Sequence, residues 1–283
     1  MKKEQTDNIE NQDIEIRLLV EALFMKYGYD FRNYSRAHLK RRILNRFYQS
    51  GLKSVSEMIH VVLHDHSFVD KLLMDLSITV TEMFRDASFY KSVRESVIPV
   101  LRTYPFVKIW HAGCASGEEV YSMAIMIKEE GLLHKTQIYA TDFNPQIIQL
   151  AKRARYPLNR IKEFTISYQK AGGKRSFSDY YHTDEESAQL IEPLRRNIVF
   201  ATHNLVTDSV FAEVNLVVCR NVLIYFNRQL QDHVIGLFGD SLTGGGFLCL
   251  GSKENLQFSV QFPRFEPVVE QERIYIKKYD VPL

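Results

Sequence analysis

The sequence predicts a small all-helical domain followed by a larger α/β domain built on an open, mostly parallel sheet. Three observations carry this. No convincing strand precedes residue 100, and from Asp13 onward Ile16, Leu19, Val20, Leu23 and Phe24 recur at helical spacing. Beyond that point, short apolar runs alternate with helical stretches, the pattern of a chain that winds a parallel sheet. Within it, Val107–Asp142 reads as strand, loop of small residues, acidic helix start, strand and terminal acid, which is the layout of a nucleoside-binding βαβ unit.

Taken in order, Met1–Gln12 is expected to be a frayed leader, and Met1–Ile16 lacks the apolar stretch of a signal peptide. The helical pattern then runs to about Asp75, punctuated by Gly28 and Asp30. Ser35 is the expected N-cap of a second helix, Arg36–Gln49; Ser54 and Ser56 precede a third and Ser67 a fourth. The second helix carries Arg36, Lys40, Arg41, Arg42 and Arg46 beside an apolar stripe of Leu39, Ile43, Leu44 and Phe47. It holds no acidic residue, so its charge is locally uncompensated. Such a face is either simply solvated or meets an acidic protein or nucleic acid. Ser77–Asp86, with its hydroxyls and Arg85, links the two parts, and a helix from about Ser88 to Tyr104 is stopped by Pro105.

The α/β part then runs as strand 107–110, helix 118–130, strand 137–141 and helix 145–153, with Pro145 in a first turn that suits it. Tyr156–Arg196 breaks the alternation. It is too long for a plain loop and is predicted to form helical turns followed by a small antiparallel sheet. Ile198–Ala201 resumes the main sheet. Val214–Cys219 is continuously apolar, as a strand covered on both faces should be. A helix from about Arg228 to Leu242 precedes Gly244-Gly245-Gly246, and strands Phe247–Gly251 and Arg273–Lys277 close the sheet. The division follows as a helical domain over 1–76, a linker and connecting helix over 77–105, and an α/β domain over 106–283 with an inserted β-subdomain at about 160–196.

A formal net charge of +2 calls for neither nucleic acid nor a membrane surface. The three cysteines, Cys114, Cys219 and Cys249, lie far apart and form no disulfide or zinc framework, so no metal is expected and a reducing cytoplasm fits. No apolar run approaches the roughly 20 residues of a membrane span.

In open α/β sheets, ligands sit at the carboxyl ends of the strands. The polar residues there are Gly113 to Glu118, Asp142, Asn204, Arg220 and Asn221. The loop from Gly113 lacks the full G-x-G-x-x-G spacing, and Glu118 and Glu119 would repel a pyrophosphate at the helix start. That argues against a dinucleotide and suits a ligand with an amino group and a positive charge, such as S-adenosylmethionine. Asp142 reads either as the acceptor of ribose hydroxyls or as an N-cap ahead of Asn144-Pro145, and Asn204 either as a pocket residue or as a turn.

These residues carry a resemblance. Thr-x-x-x-Arg at Thr81 and Arg85, Ala-Ser-Gly-Glu-Glu-x-Tyr-Ser at 115–122, Ala-Thr-Asp at 140–142 and His-Asn-Leu at 203–205 occur in order. They are followed by Cys-Arg-Asn-Val-Leu-Ile-Tyr-Phe at 219–226 and Gly-Phe-Leu-x-Leu-Gly-Ser at 246–252. From about residue 13 to 278 the chain resembles the CheR family of chemotaxis-receptor glutamate O-methyltransferases. The resemblance implies an all-α N-terminal domain, then a class I S-adenosylmethionine-dependent methyltransferase domain, Rossmann-like, with a small antiparallel β-subdomain inserted.

Carried over position by position, it implies that Thr79, Thr81, Arg85, Gly113, Glu118, Asp142, Asn204, Leu205, Arg220 and Asn221 line the cofactor pocket. Glu118 would take the methionine amino end, with Glu119 the alternative; Asp142 would hold the ribose, and Asn204 with Leu205 would flank the adenine. Arg85 and Tyr225 would sit beside the reacting carboxylate. Thr79 stands where the family usually has Asn, so one cofactor contact departs from the pattern. The product would be S-adenosylhomocysteine, and the partner the cytoplasmic methyl-accepting domain of a receptor, met by the basic helix. A monomer without membrane insertion is expected. Alternatives within reach are a methyltransferase of the same build in a non-chemotaxis pathway and an inactive cofactor-binding docking module.

Overall fold

A computed structural model describes residues 2–77 and 81–279, so Thr79 lies outside the described residues. The chain forms two units: residues 1–78 with 224–230, and residues 79–223 with 231–283.

The first unit is helical: α1 (Lys2–Tyr27), α2 (Arg36–Ser50), α3 (Val55–His64) and α4 (His66–Leu76). The helical run thus begins well before Asp13. Its core is the predicted stripe of Ile16, Leu19, Val20 and Leu23 against Leu39 and Ile43 of α2, Met58 and Val62 of α3, and Val69, Leu72 and Leu73 of α4. Ser54 caps α3 by accepting the Glu57 N–H. Ser35 makes no side-chain cap. Asp65, rather than Ser67, caps α4, accepting from the N–H groups of Ser67 and Phe68. Part of the α2 charge is compensated by neighbours that a single-helix reading does not see. Lys40 pairs with Asp13 and Arg46 with Asp75, while Arg42 donates to the carbonyls of Asp75 at 2.7 Å and Ser77 at 2.6 Å, closing the C-terminal end of α4. Residues 224–230 complete this unit: the Ser35 N–H donates to the Tyr225 carbonyl at 2.7 Å, and Tyr34 forms an antiparallel bridge with Phe226.

The second unit opens with one helical run in two pieces, α5 (Ala87–Ser92) and α6 (Ile98–Leu101), joined by a π-helical turn over Val93–Val97. The cause is Pro99: it cannot supply the amide that a regular helix needs there, and the Ile98 N–H reaches back to Val93 instead. There follow β1 (Val107–Ala112), α7 (Glu118–Glu129), β2 (Thr136–Asp142), α8 (Pro145–Arg153), β3 (Arg155–Pro157), α9 (Leu158–Lys170), β4 (Tyr181–Thr183), β5 (Ser187–Leu190), α10 (Glu192–Arg195), β6 (Ile198–Thr202), β7 (Val214–Cys219), α11 (Arg228–Ser241), β8 (Leu242–Leu250), β9 (Phe265–Val269) and β10 (Ile274–Lys277). The first turn of α11 counts with the helical unit.

The main sheet has seven strands in the order β6-β2-β1-β7-β8-β10-β9. The pairs from β6 to β8 are parallel, and β10 runs antiparallel to both of its neighbours. β9 was not predicted because Pro267 interrupts its apolar run; it lies at the sheet edge, where a missing donor is tolerated. β8 starts at Leu242 and takes the three glycines into the strand. The strand order reverses between β1 and β7, and this is the switch point at which such sheets open a crevice.

The predicted antiparallel sheet is present as β3-β5-β4, with α9 before its second strand. It is tied to the end of α7 through Glu129, which accepts from Tyr168, from Tyr180 at 2.8 Å and from the Lys174 N–H at 3.0 Å, and pairs with Arg94. Gly173 lies against the Tyr168 ring, so closely that an added Cβ would stand 2.2 Å from it.

Candidate active site

β1 sends alternate side chains to opposite faces. Trp110 faces one side, where Phe211, His203 and Phe238 enclose it and Thr141 accepts its indole N–H at 2.8 Å. His111 faces the other, toward Glu119 at 3.5 Å. Beyond β1 the chain turns sharply. The N–H groups of Gly113 and Cys114 both donate to the Thr141 carbonyl, at 2.8 and 2.9 Å, which lays the loop across the end of β2. Gly113 has φ +78°, and a Cβ there would come within 2.6 Å of Val222. The loop is bare because the packing beneath it leaves no room.

Asp142, at the end of β2, lies beneath this loop. It accepts the Ala115 and Asn144 N–H groups, each at 3.1 Å. Burial raises its carboxyl to about 6, against the pull of those amides. It is not the cap of α8; Asn144 is, accepting from the Gln146 N–H. The N–H of His203 donates to the Asp142 carbonyl at 3.1 Å and brings the β6 end alongside. There Leu205 is buried and the Asn204 side chain accepts the Val206 N–H at 3.0 Å, so the turn reading holds for that oxygen.

Glu118 and Glu119 part company. Glu118 is only 2 % exposed. It accepts from Ser116 at 2.6 Å and from Arg160 at 3.1 Å, and burial raises its carboxyl despite them. The Glu119 side chain keeps 18 % exposure and accepts from Arg220 at 2.7 Å. Burial pushes its carboxyl up, but Arg220 and His111 together outweigh burial and hold it below the ordinary range. Arg220, at the end of β7, is itself buried; it also donates to Asp86 at 2.7 Å and lies 4.0 Å from the centre of the Phe89 ring. Asn221 adopts a left-handed φ of 61°. Glu254 holds that turn, accepting the N–H of Asn221 at 3.1 Å, of Val222 at 2.8 Å and of Gly251 at 2.5 Å.

The second unit thus gathers Gly113, Glu118, Asp142, Asn204, Leu205, Arg220 and Asn221 at the carboxyl ends of four strands. The Thr81 carbonyl joins them by accepting from Arg160 at 2.8 Å, and Arg85 is exposed beside the Asp86 that pairs with Arg220. Tyr225 belongs to the helical unit, where its ring meets His38 edge-on and Arg42 lies 5.4 Å from its centre. Sequence reasoning missed Asp86, His111, Arg160 and Glu254. Only Asp86, next to Arg85 in a hydroxyl-rich linker, offered a local signal.

The chain matches the family "CheR methyltransferase, SAM binding domain" over residues 79–271 and "CheR methyltransferase, all-alpha domain" over residues 14–77. It is 52% identical over 267 residues to the "Putative methyltransferase Cher3" of Pseudomonas putida, covering 94% of this chain and 98% of that one. It is 29% identical over 231 residues to the "Chemotaxis protein methyltransferase" of Listeria innocua, covering 81% and 85%. Among solved structures, the N-methyltransferase NodS from Bradyrhizobium japonicum with bound S-adenosylhomocysteine shares 16% identity at a TM-score of 0.34, over 60% of this chain and 62% of that one. A likeness at that level carries no argument about this chain.

Proposed function

This chain belongs to the CheR methyltransferase family and uses S-adenosylmethionine as its methyl donor; from that premise we propose that it methylates glutamate side chains of a methyl-accepting chemotaxis receptor. The observation that carries the cofactor half is the side-chain-poor loop at Gly113, laid over Asp142 and flanked by an ionised Glu119. Such a loop suits a nucleoside laid against its backbone, and Glu119 offers a carboxylate to an ammonium group. The chemotaxis methyltransferases at 29% identity support the receptor half.

The bound cofactor supplies an activated methyl group; the residues supply position. A glutamate with reference pKa about 4.3 is already ionised at neutral pH, so no general base is needed. The work is alignment of carboxylate oxygen, methyl carbon and sulfur. Asp142 would accept from ribose hydroxyls, and Asn204 with Leu205 would flank the adenine. Thr79, Thr81 and Asn221 would complete the pocket with Arg220, which holds Glu119 ionised. Glu119 is the better candidate for the ammonium: its carboxyl is held below the ordinary range and its side chain keeps 18 % exposure, whereas Glu118 is shifted up by burial and only 2 % exposed. Glu119→Gln should therefore weaken cofactor binding about tenfold or more, and Glu118→Gln should do so less; calorimetry that ranks them the other way restores Glu118.

On this reading Arg85 orients the substrate carboxylate and Tyr225 makes fine adjustment, and the basic face of Arg36, Lys40, Arg41, Arg42 and Arg46 suits the receptor surface. Unchanged turnover of Arg85→Ala at saturating substrate would remove Arg85 from that role. The deciding experiment is transfer of labelled methyl to receptor cytoplasmic fragments, followed by alkaline release of the label as methanol. Base-labile label on glutamate is expected. No label on a protein that binds S-adenosylhomocysteine would overturn the receptor reading. A second reading keeps the same site and changes the substrate; the relative at 52% identity carries the name "Putative methyltransferase Cher3", which states no substrate. On that reading the same site would modify a carboxylate of another signalling protein.

A further inference from the structure

Two residues of the inserted segment reach into the cofactor loop. Tyr156, on β3, is buried and donates its hydroxyl to the Ser116 carbonyl at 3.1 Å. Arg160, in the first turn of α9, divides its guanidinium: one amino group donates to Glu118 at 3.1 Å, the other to the Thr81 carbonyl at 2.8 Å. The guanidinium is braced over the Phe164 ring at 4.7 Å. Ser116 closes the circuit by donating to the other oxygen of Glu118 at 2.6 Å. One side chain therefore holds both the loop that starts α7 and the segment that leads to Arg85. Its other end is fixed to α9, which Glu129 anchors through Tyr168.

From this geometry we infer that Arg160 is a positioning residue through which the inserted subdomain sets the conformation and charge of the cofactor loop. The inference rests on the cofactor half of the reading above and not on the receptor. Glu118 sits where an acid prefers to be neutral: its carboxyl is buried, and the groups facing it besides Arg160 are Ser116 and Cys114 from the loop and Tyr156 from β3. Arg160 is the cation in contact with it. That cation favours the ionised form of Glu118 against burial, and with it a field at the loop that suits a cationic ligand. Without it, burial acts unopposed, and Glu118 takes up a proton at a higher pH.

The test is calorimetric titration of S-adenosylmethionine and S-adenosylhomocysteine against pH for wild type, Arg160→Gln and Arg160→Lys. Arg160→Gln is expected to bind S-adenosylmethionine about tenfold more weakly near neutral pH. Its affinity should also fall, as pH is lowered, at a higher pH than in wild type. Arg160→Lys keeps the cation and should restore the wild-type pH profile, while recovering only part of the affinity because it cannot hold Glu118 and Thr81 together. Hydrogen exchange of the protein without cofactor should show faster exchange at 81–84 and 116–119 in Arg160→Gln. Superimposable pH profiles for wild type and Arg160→Gln would overturn the inference while leaving the cofactor reading intact. Wild type that binds neither ligand would overturn both.

Discussion

At the scale of single residues, Asp142 makes the sharpest prediction. Its folded carboxyl lies near 6 against an ordinary 3.8. As a neutral acid it therefore contributes stability that is complete below about 3.8 and is lost as pH rises through about 6. Ligand binding runs the other way, since ribose hydroxyls need the ionised form as acceptor. Affinity for S-adenosylhomocysteine should accordingly weaken below about pH 6, by up to about tenfold per pH unit. In Asp142→Asn this inflection should vanish, leaving weaker binding; calorimetry across pH 5–8 checks it. Gly113, Glu118 and Asp142 were legible in the sequence because their surroundings are local, with strand, loop and helix following one another in a single βαβ unit. Glu254 and Arg160 were not. Glu254 satisfies the amides of Asn221 and Val222, and Arg160 the carbonyl of Thr81, and nothing in a linear pattern marks such distant partners.

At the scale of elements, periodicity identified the strands and helices that bury one face or both. It failed where a single residue changes the rule. Pro99 turns one expected helix into two pieces around a π turn, and Pro267 hides an edge strand. The inserted segment was recognised by its length and by its break in alternation, but the reason for Gly172-Gly173 appears only with Tyr168. Gly173 lets the chain pass directly against that ring, which is itself pinned to Glu129. Gly173→Ala should therefore destabilise the protein by about 1–3 kcal/mol, since neither ring nor backbone can yield freely. Thermal unfolding measures the loss, and a melting temperature equal to wild type would show that the turn can relax.

At the scale of the molecule, the helical and α/β parts were both readable, because each has its own hydrophobic pattern. The proposed receptor-facing surface was readable only as charge. The structure divides that charge by what each residue already holds. Arg42 closes the end of α4 and Arg46 pairs with Asp75, so Arg42→Ala should lower stability by about 1–3 kcal/mol as well as altering any binding. Arg36 and Arg41 are exposed. Arg36→Glu with Arg41→Glu should leave the melting temperature within about 2 °C of wild type while weakening association with an acidic receptor fragment and reducing its salt dependence. Association that stays the same in the double variant and in high salt would place the contact elsewhere.

The return of residues 224–230 to the helical unit has a consequence for how the protein is made. On the ribosome α1 to α4 emerge well before residues 224–230, so the strand-like bridge from Tyr34 must wait for Phe226. At about 5–20 residues per second, the intervening chain takes on the order of 10–40 s to synthesise. Through that interval the early helices can assemble among themselves but cannot finish, and their open edge at Asn33–Ser35 is exposed to other nascent chains. Completion of the helical unit is thus timed by translation of residues 224–230.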